Sequence, residues 1–180
     1  MHMQITSGST GRETEIADLF KTTFIASEGA EEGASIGRLA RDLMTTTDAD
    51  DLHVFTADDG GLVGACIFTR LRHEGATRRT WLLSPVAVAP DRQGQGIGQR
   101  MLAETLAALR AGGADVAVTY GDPAFYGRVG FEPVTVDTVS APYPLSQPEG
   151  WLAHSLTGQP LAPLTGHATC APALSDPAFW

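Results

Sequence analysis

Leu83-Ser84-Pro85-Val86-Ala87-Val88-Ala89-Pro90-Asp91-Arg92-Gln93-Gly94-Gln95-Gly96-Ile97-Gly98-Gln99-Arg100-Met101-Leu102 runs an apolar strand into a glycine-rich turn and then into a helix. Gly94, Gly96 and Gly98, at alternate positions, let the backbone approach a ligand without Cβ obstruction. The helix start adds unpaired N–H donors and the positive end of the helix dipole. The pattern predicts a cradle for an anion such as a phosphate ester, the alternative being a glycine-rich connection without a ligand. Two familiar phosphate loops fail on spacing. A Walker loop needs Gly-Lys-Ser/Thr, which is absent, and the dinucleotide fingerprint needs glycine where Gln99 stands. Pro85 has no N–H, so one ladder hydrogen bond is missing in mid-strand, which sheets tolerate at a bulge or an edge. Such a break suits a strand that parts from its neighbour to admit an extended ligand; a bulge with no ligand is the other reading.

Upstream, Met3 to Thr6 reads as a short strand. Ile16, Leu19, Phe20 and Phe24, and then Ile36, Leu39, Ala40 and Leu43, keep helical spacing on either side of an acidic link from Glu28 to Gly33. Leu52 to Ala57 and Leu62 to Arg70 flank the turn Asp58-Asp59-Gly60-Gly61, a hairpin signal, and Thr80 to Ala89 is a third strand of that series. Gly96 to Arg110 is helical with Gly112-Gly113 as its stop, and Ala114 to Thr119 is a buried strand. Asp122-Pro123 starts a short helix that Gly130 ends; strands are expected over Phe131 to Val136 and Trp151 to Leu156. From Thr157 the chain is rich in Pro and Gly and aperiodic. Leu161, Leu164, Phe179 and Trp180 argue that this tail packs on the domain, or on a second copy in a homodimer, instead of being freely solvated.

The chain of 180 residues is 43% hydrophobic, 18% charged and 7% aromatic, which fits one ordinary globular domain and excludes a disordered or disulfide-stapled protein. A formal charge of −9 at pH 7 leaves no overall basic field for nucleic acid or an anionic membrane, so neither is expected as a partner. No basic segment followed by an apolar run opens the chain, and nowhere do about 18 apolar residues run together. Cys66, in the apolar run Gly64 to Phe68, and Cys170 share no metal-ligand spacing; a reduced, cytoplasmic protein with an inert core Cys66 is expected. His2, His53, His73, His154 and His167 form no His-x-x-His or His-x-x-x-His pair, so no metal is expected.

Val86-Ala87-Val88-x-Pro90-x-x-Gln93-Gly94-Gln95-Gly96-Ile97-Gly98 resembles the acetyl-coenzyme A signature of the GNAT N-acetyltransferase superfamily. Phe125-Tyr126-Gly127-Arg128-Val129-Gly130-Phe131 is similar to that family's second landmark, an aromatic-Tyr pair followed by Gly-Phe. The close resemblance covers residues 82–133, and the order of elements extends it over residues 1–137. It implies one α/β domain over residues 1–156 with the tail 157–180 added, a mixed central sheet splayed around the cofactor, and helices on both faces. It implies acetyl-CoA as co-substrate. Gln93, Gly94, Gln95, Gly96, Ile97, Gly98 and the amide of Gln99 would wrap the pyrophosphate, while Val86, Ala87 and Val88 would offer main-chain groups to the pantetheine arm. Arg92 and Arg100 flank the turn as candidate phosphate partners.

Acetyl transfer needs a neutral amine, a polarised thioester carbonyl and a proton for the departing thiolate. By resemblance Tyr126 is the proton donor, and a phenol with a reference pKa of about 10 stays protonated at neutral pH; a packed tyrosine beside Phe125 is the alternative. A main-chain N–H near Val88 would meet the oxyanion. Asp122, the glutamates Glu28, Glu31 and Glu32, and the pair His73-Glu74 are open candidates for the general base, with water as a substitute. The expected activity is acetylation of a primary amine of a small molecule. A protein N-acetyltransferase and a non-catalytic acyl-CoA binding module are the alternatives.

Overall fold

Residues 2–180 are described by a computed structural model. Its sheet contains β1 (Gln4–Ser7), β2 (Leu52–Asp58), β3 (Leu62–His73), β4 (Thr80–Val88), β5 (Val116–Tyr120), β6 (Glu132–Pro133), β7 (Trp151–Ser155) and β8 (Ala168–Thr169). The helices are α1 (Glu13–Glu28), α2 (Ala30–Thr46), α3 (Ile97–Ala111) and α4 (Pro123–Gly127). Strands lie in the order β1-β2-β3-β4-β5-β7-β6, with β8 added to β3. The β4–β5 pair is parallel and the other pairings are antiparallel, so the sheet is mixed.

Period-2 alternation along the strands feeds two cores. On one face Ile16, Phe20, Leu39 and Leu43 of α1 and α2 pack with Leu82 and Val118. On the other, Ile97, Met101, Leu102 and Leu106 of α3 pack with Leu83 and Ala117. Two amphipathic helices on one side and one on the other therefore cover the centre of the sheet, giving an α/β domain.

The decisive irregularity lies in β4. Leu83 pairs with Phe68 and Val86 with Cys66, so Ser84 and Pro85 together oppose Ile67. This is the bulge that the missing N–H of Pro85 called for. Its consequence is a switch of parity: Trp81 and Leu83 face the α3 core before it, Val86 and Val88 face the same core after it, and Ala87 turns to the α1–α2 core. Parallel pairing with β5 covers Thr80 to Leu83 against Val116 to Thr119, and beyond Leu83 the two strands part.

Three local expectations differ from the structure. The acidic link contracts to Gly29, whose φ of +99° makes the turn alone, while Glu31 and Glu32 enter the first turn of α2, where the helix dipole favours carboxylates. The strand expected over 131–136 is reduced to Glu132 and Pro133, because the chain turns at Thr135, whose carbonyl accepts from the N–H groups of Thr138 and Val139. The segment after Thr157, expected to lack strands, supplies β8 on β3.

That last segment joins the α1–α2 core. Leu164 is 1% and Trp180 6% exposed, and Leu161 and Phe179 pack partly buried beside them. Trp180 donates from Nε1 to Leu174 O (3.0 Å) and stacks on Tyr120, while its ring meets Trp151 edge-on. Truncating a buried Trp to Ala removes about 3 kcal/mol or more. Trp180→Ala should therefore lower the melting temperature by roughly 6–12 °C for a domain of this size, and deletion after Gly158 should lower it further. Differential scanning calorimetry of the two variants checks this; an unchanged midpoint would mean that the segment adds no stability.

Candidate active site

The parted ends of β4 and β5 open a cleft of about 630 Å³ between the end of α1, the start of α3 and α4. Backbone direction along β4 determines what the cleft can bind. Ala89 N–H donates to Val63 O of β3, so by alternation the polar groups of Ala87 also face β3, and those of Val86 and Val88 face away, into the opening. Thr23 Oγ1 (3.4 Å) and Gln93 Nε2 (3.0 Å) donate to Val88 O. The N–H groups of Val86 and Val88 have no strand partner among the described residues, since pairing with β5 stops at Leu83. At the fork, Thr119 Oγ1 closes the ladder by donating to Leu83 O (2.8 Å).

At the mouth of the cleft, α3 begins without a side-chain cap, on Gly96 with φ +79°. The first N–H groups of a helix have no partner within it, and here Ile97, Gly98 and Gln99 present them to the cleft wall. A Cβ added at Gly96 would meet nothing within 4 Å, so this turn is a concavity open to a ligand. Gly98 is tight instead: a Cβ there would lie 3.0 Å from Phe125 Cζ, so the missing side chain lets α3 and α4 meet.

Tyr126 is held from several sides. Asp122 caps α4 by accepting from Ala124 N–H (2.9 Å), and Pro123 occupies the first turn. The Tyr126 ring meets Phe125 and Phe131 edge-on at 5.0 and 5.7 Å. Burial pushes its phenol up to about 12, with the Thr119 hydroxyl acting weakly the other way. Cys66 is fully buried in the α3 core and its thiol is likewise pushed up to about 12 by burial, which makes it a poor nucleophile.

Of the ten residues expected to touch the cofactor, nine line this cleft: Val86, Ala87, Val88, Gln93, Gly94, Gly96, Ile97, Gly98 and Gln99. Gln95 does not; its side chain turns back to accept from Arg92 Nε (3.3 Å). Arg92 reaches the cleft but is paired with Asp59, and Arg100 is drawn away from it onto Glu104 (3.1 Å). Among the candidate bases, Glu28 lines the cleft, Asp122 lines it while occupied as a cap, and Glu31 and Glu32 do not line it. His73 and Glu74 lie at the far end of β3, where His73 Nε2 bonds Ser140 O (2.9 Å). Sequence reasoning missed Thr23, Phe24, Tyr120 and Arg128, which also line the cleft. Phe24 belongs to the apolar series of α1, which marked it only as core, and Thr23 beside it carried no signal.

The comparisons with known proteins agree with this geometry. Residues 50–133 match a family model described as an acetyltransferase (GNAT) domain. Over 118 residues the chain is 37% identical to the uncharacterized N-acetyltransferase YjhQ of Escherichia coli K12, an alignment covering 63% of this chain and 65% of that protein. This match spans slightly less than two thirds of YjhQ. Over 113 residues it is 30% identical to the uncharacterized N-acetyltransferase YhbS of the same strain, covering 63% of this chain and 67% of that one. A GNAT family acetyltransferase from Brucella melitensis, solved with acetyl-CoA, superposes with a TM-score of 0.73 at 27% identity over 96% of this chain and 97% of its own. The YhbS crystal structure, in complex with CoA, shares the fold at a TM-score of 0.81 and 23% identity, covering 98% of this chain and 93% of its own. The chain belongs to the GNAT acetyltransferase family.

Gly121 offers a direct check of how the Tyr126 ring is placed, because a Cβ on it would stand 2.6 Å from Tyr126 Cε2. Gly121→Ala must therefore displace the ring. A crystal structure of the variant should show Tyr126 moved from its contact with Phe131, with a stability loss of about 1–3 kcal/mol typical of overpacking. An unmoved ring would mean that Gly121 is not what makes room for it.

Proposed function

We propose that this protein transfers an acetyl group from acetyl-CoA to the primary amine of a small molecule. The observation that carries the reading is the pair of outward N–H groups on Val86 and Val88, set in a strand that has parted from its neighbour and leading to the uncapped start of α3. An extended thioester with a pyrophosphate at its far end fits that sequence of donors: strand amides for the amide-containing arm, helix amides for the phosphates. Arg128 on the same wall adds positive charge. The CoA and acetyl-CoA complexes of the two structural neighbours support the same ligand.

The reaction balances simply. The amine lone pair attacks the thioester carbonyl carbon, a C–N bond forms and the C–S bond breaks; nitrogen sheds one proton and sulfur gains one. The products are an acetamide and a free thiol. In this reading the Val88 N–H stabilises the developing oxyanion and Tyr126 Oη delivers the proton to sulfur. The proton from nitrogen leaves through water at the open end, where the Glu28 carboxylate stands. Thiol release with a panel of amines tests the function. Turnover confined to peptide amines would make this a protein N-acetyltransferase, and cofactor binding without thiol release would make it a binding module.

Tyr126→Phe keeps the ring and removes the proton, so turnover should fall by roughly 10²–10⁴ with acetyl-CoA affinity little changed. Parent-rate turnover in that variant would leave Tyr126 a packing residue. Because burial holds the phenol protonated up to about 12, kcat should show no falling limb from this group below about pH 11. A rate that fell through pH 9–10 with an amine already neutral would contradict the assignment. Gly96→Val places a β-branched residue at φ +79°, at a strain of about 1–2 kcal/mol, and fills the concavity. Calorimetric titration should find a folded protein with weakened acetyl-CoA binding; unchanged affinity would remove this turn from the site.

A further inference from the structure

We infer that the acceptor is a monoamine with one compact apolar or aromatic group, seated in a second recess that adjoins the cleft; this rests on the acetyltransferase reading above. The recess, of about 200 Å³, lies between α1, α2 and the C-terminal segment. It shares the walls Phe24 and Tyr120 with the cleft, and Ser84 of the bulge lines it just as Val86, two residues on, lines the cleft. The two spaces thus adjoin across Phe24 and Tyr120.

The lining gives the chemistry. Ile36, Leu39, Leu82, Phe179 and Trp180 make an apolar, partly aromatic wall, and Glu32 is the single charged side chain among the lining residues. Glu32, at the start of α2, lines the recess, which no cationic side chain among the described residues lines, whereas the cleft carries Arg92 and Arg128 together with Glu28 and Asp122. The negative charge of Glu32, with no cationic side chain in the lining, favours a cationic amine in the recess. A cavity of roughly 150 Å³ takes one benzene, so beside its polar groups Glu32, Ser84 and Tyr120 this recess has room for a single ring or branched alkyl group on a short arm. A second cation, as in a polyamine, would find no second acidic side chain in the recess lining. A peptide would bring amides with few partners, since the Tyr120 hydroxyl already accepts from Gln147 N–H (2.6 Å).

The test compares phenethylamine, putrescine, spermidine and a lysyl peptide in the thiol-release assay. Phenethylamine should lead in kcat/KM by roughly 10–100-fold, the worth of burying one apolar group. Phe179→Ala should lower that kcat/KM about tenfold while acetyl-CoA affinity and the circular dichroism spectrum stay at parent values. Glu32→Gln should raise KM for phenethylamine about two- to fivefold at low salt, the modest effect of an exposed charge. Preference for the polyamines or the peptide would overturn the acceptor class and leave the transferase reading standing. Should acetyl-CoA bind without any thiol release, phenethylamine titrated into the CoA-loaded protein decides: binding that Phe179→Ala weakens upholds the recess while the transferase reading falls, and no binding overturns both.

Discussion

A single absent N–H governs this fold. Pro85 has none to donate in the middle of β4, and the sheet absorbs the loss by letting two residues of β4 oppose one of β3. The extra residue reverses which face each later side chain meets and turns the backbone of Val86 and Val88 toward a neighbour that is no longer there. The unmatched amides inside the sheet would be a defect in a closed protein, because a buried polar group without a partner costs about 1–3 kcal/mol. Here they border an open cleft, where solvent or a ligand can satisfy them.

What surrounds the fork is arranged by charge and by rigidity. Arg92 and Arg128 stand on the cleft wall together with Glu28 and Asp122, and Glu32 is the charged side chain of the recess. The protein is acidic as a whole, at a formal charge of −9, so the distribution along the cleft and recess carries more meaning than the total. The C-terminal segment completes the arrangement. Its Trp180 joins Tyr120 and Trp151 in an aromatic group that backs β5 and β7, and its Phe179 closes the recess. A segment without regular period thereby supplies both stability and a wall.

The parts of the fold that were legible in the sequence are those written in local chemistry. The hairpin at Asp58 to Gly61, the cap at Asp122-Pro123, the start of α3 at Gly96 and the bulge at Pro85 each follow from what one or two residues permit. The parts that were not legible depend on distant partners. Nothing local tells β7 to insert between β5 and β6, or Ala168-Thr169 to pair with Arg72 and His73. At the site, the glycine turn and Tyr126 stood out because their residue types are unusual at those positions, whereas Thr23 and Phe24 look like any amphipathic helix until α1 is docked. Gln95 is the one residue of the expected stretch that does not line the cleft: alternate side chains of a turn point apart, and this one meets Arg92.

In the proposed reaction, the cap on α4 bears on how labour divides among the acidic and phenolic groups. A helix of five residues has too few internal bonds to persist on its own, so its position depends on the Asp122 side chain accepting from Ala124 N–H and on the rings of Phe125 and Phe131 around Tyr126. A neutral Asp122, having taken a proton from the acceptor, would be a weaker acceptor at that cap, and the helix that aims the proposed acid would loosen at the moment it was needed. One carboxylate therefore serves poorly as both anchor and base. Glu28 carries no such structural duty: it is exposed on the cleft wall at the end of α1, where a proton taken up can pass to water without disturbing Tyr126. That separation of anchor from base is why the proposed reaction routes the acceptor's proton toward Glu28 and solvent, and leaves Asp122, although nearer to Tyr126 in sequence, the task of holding it still.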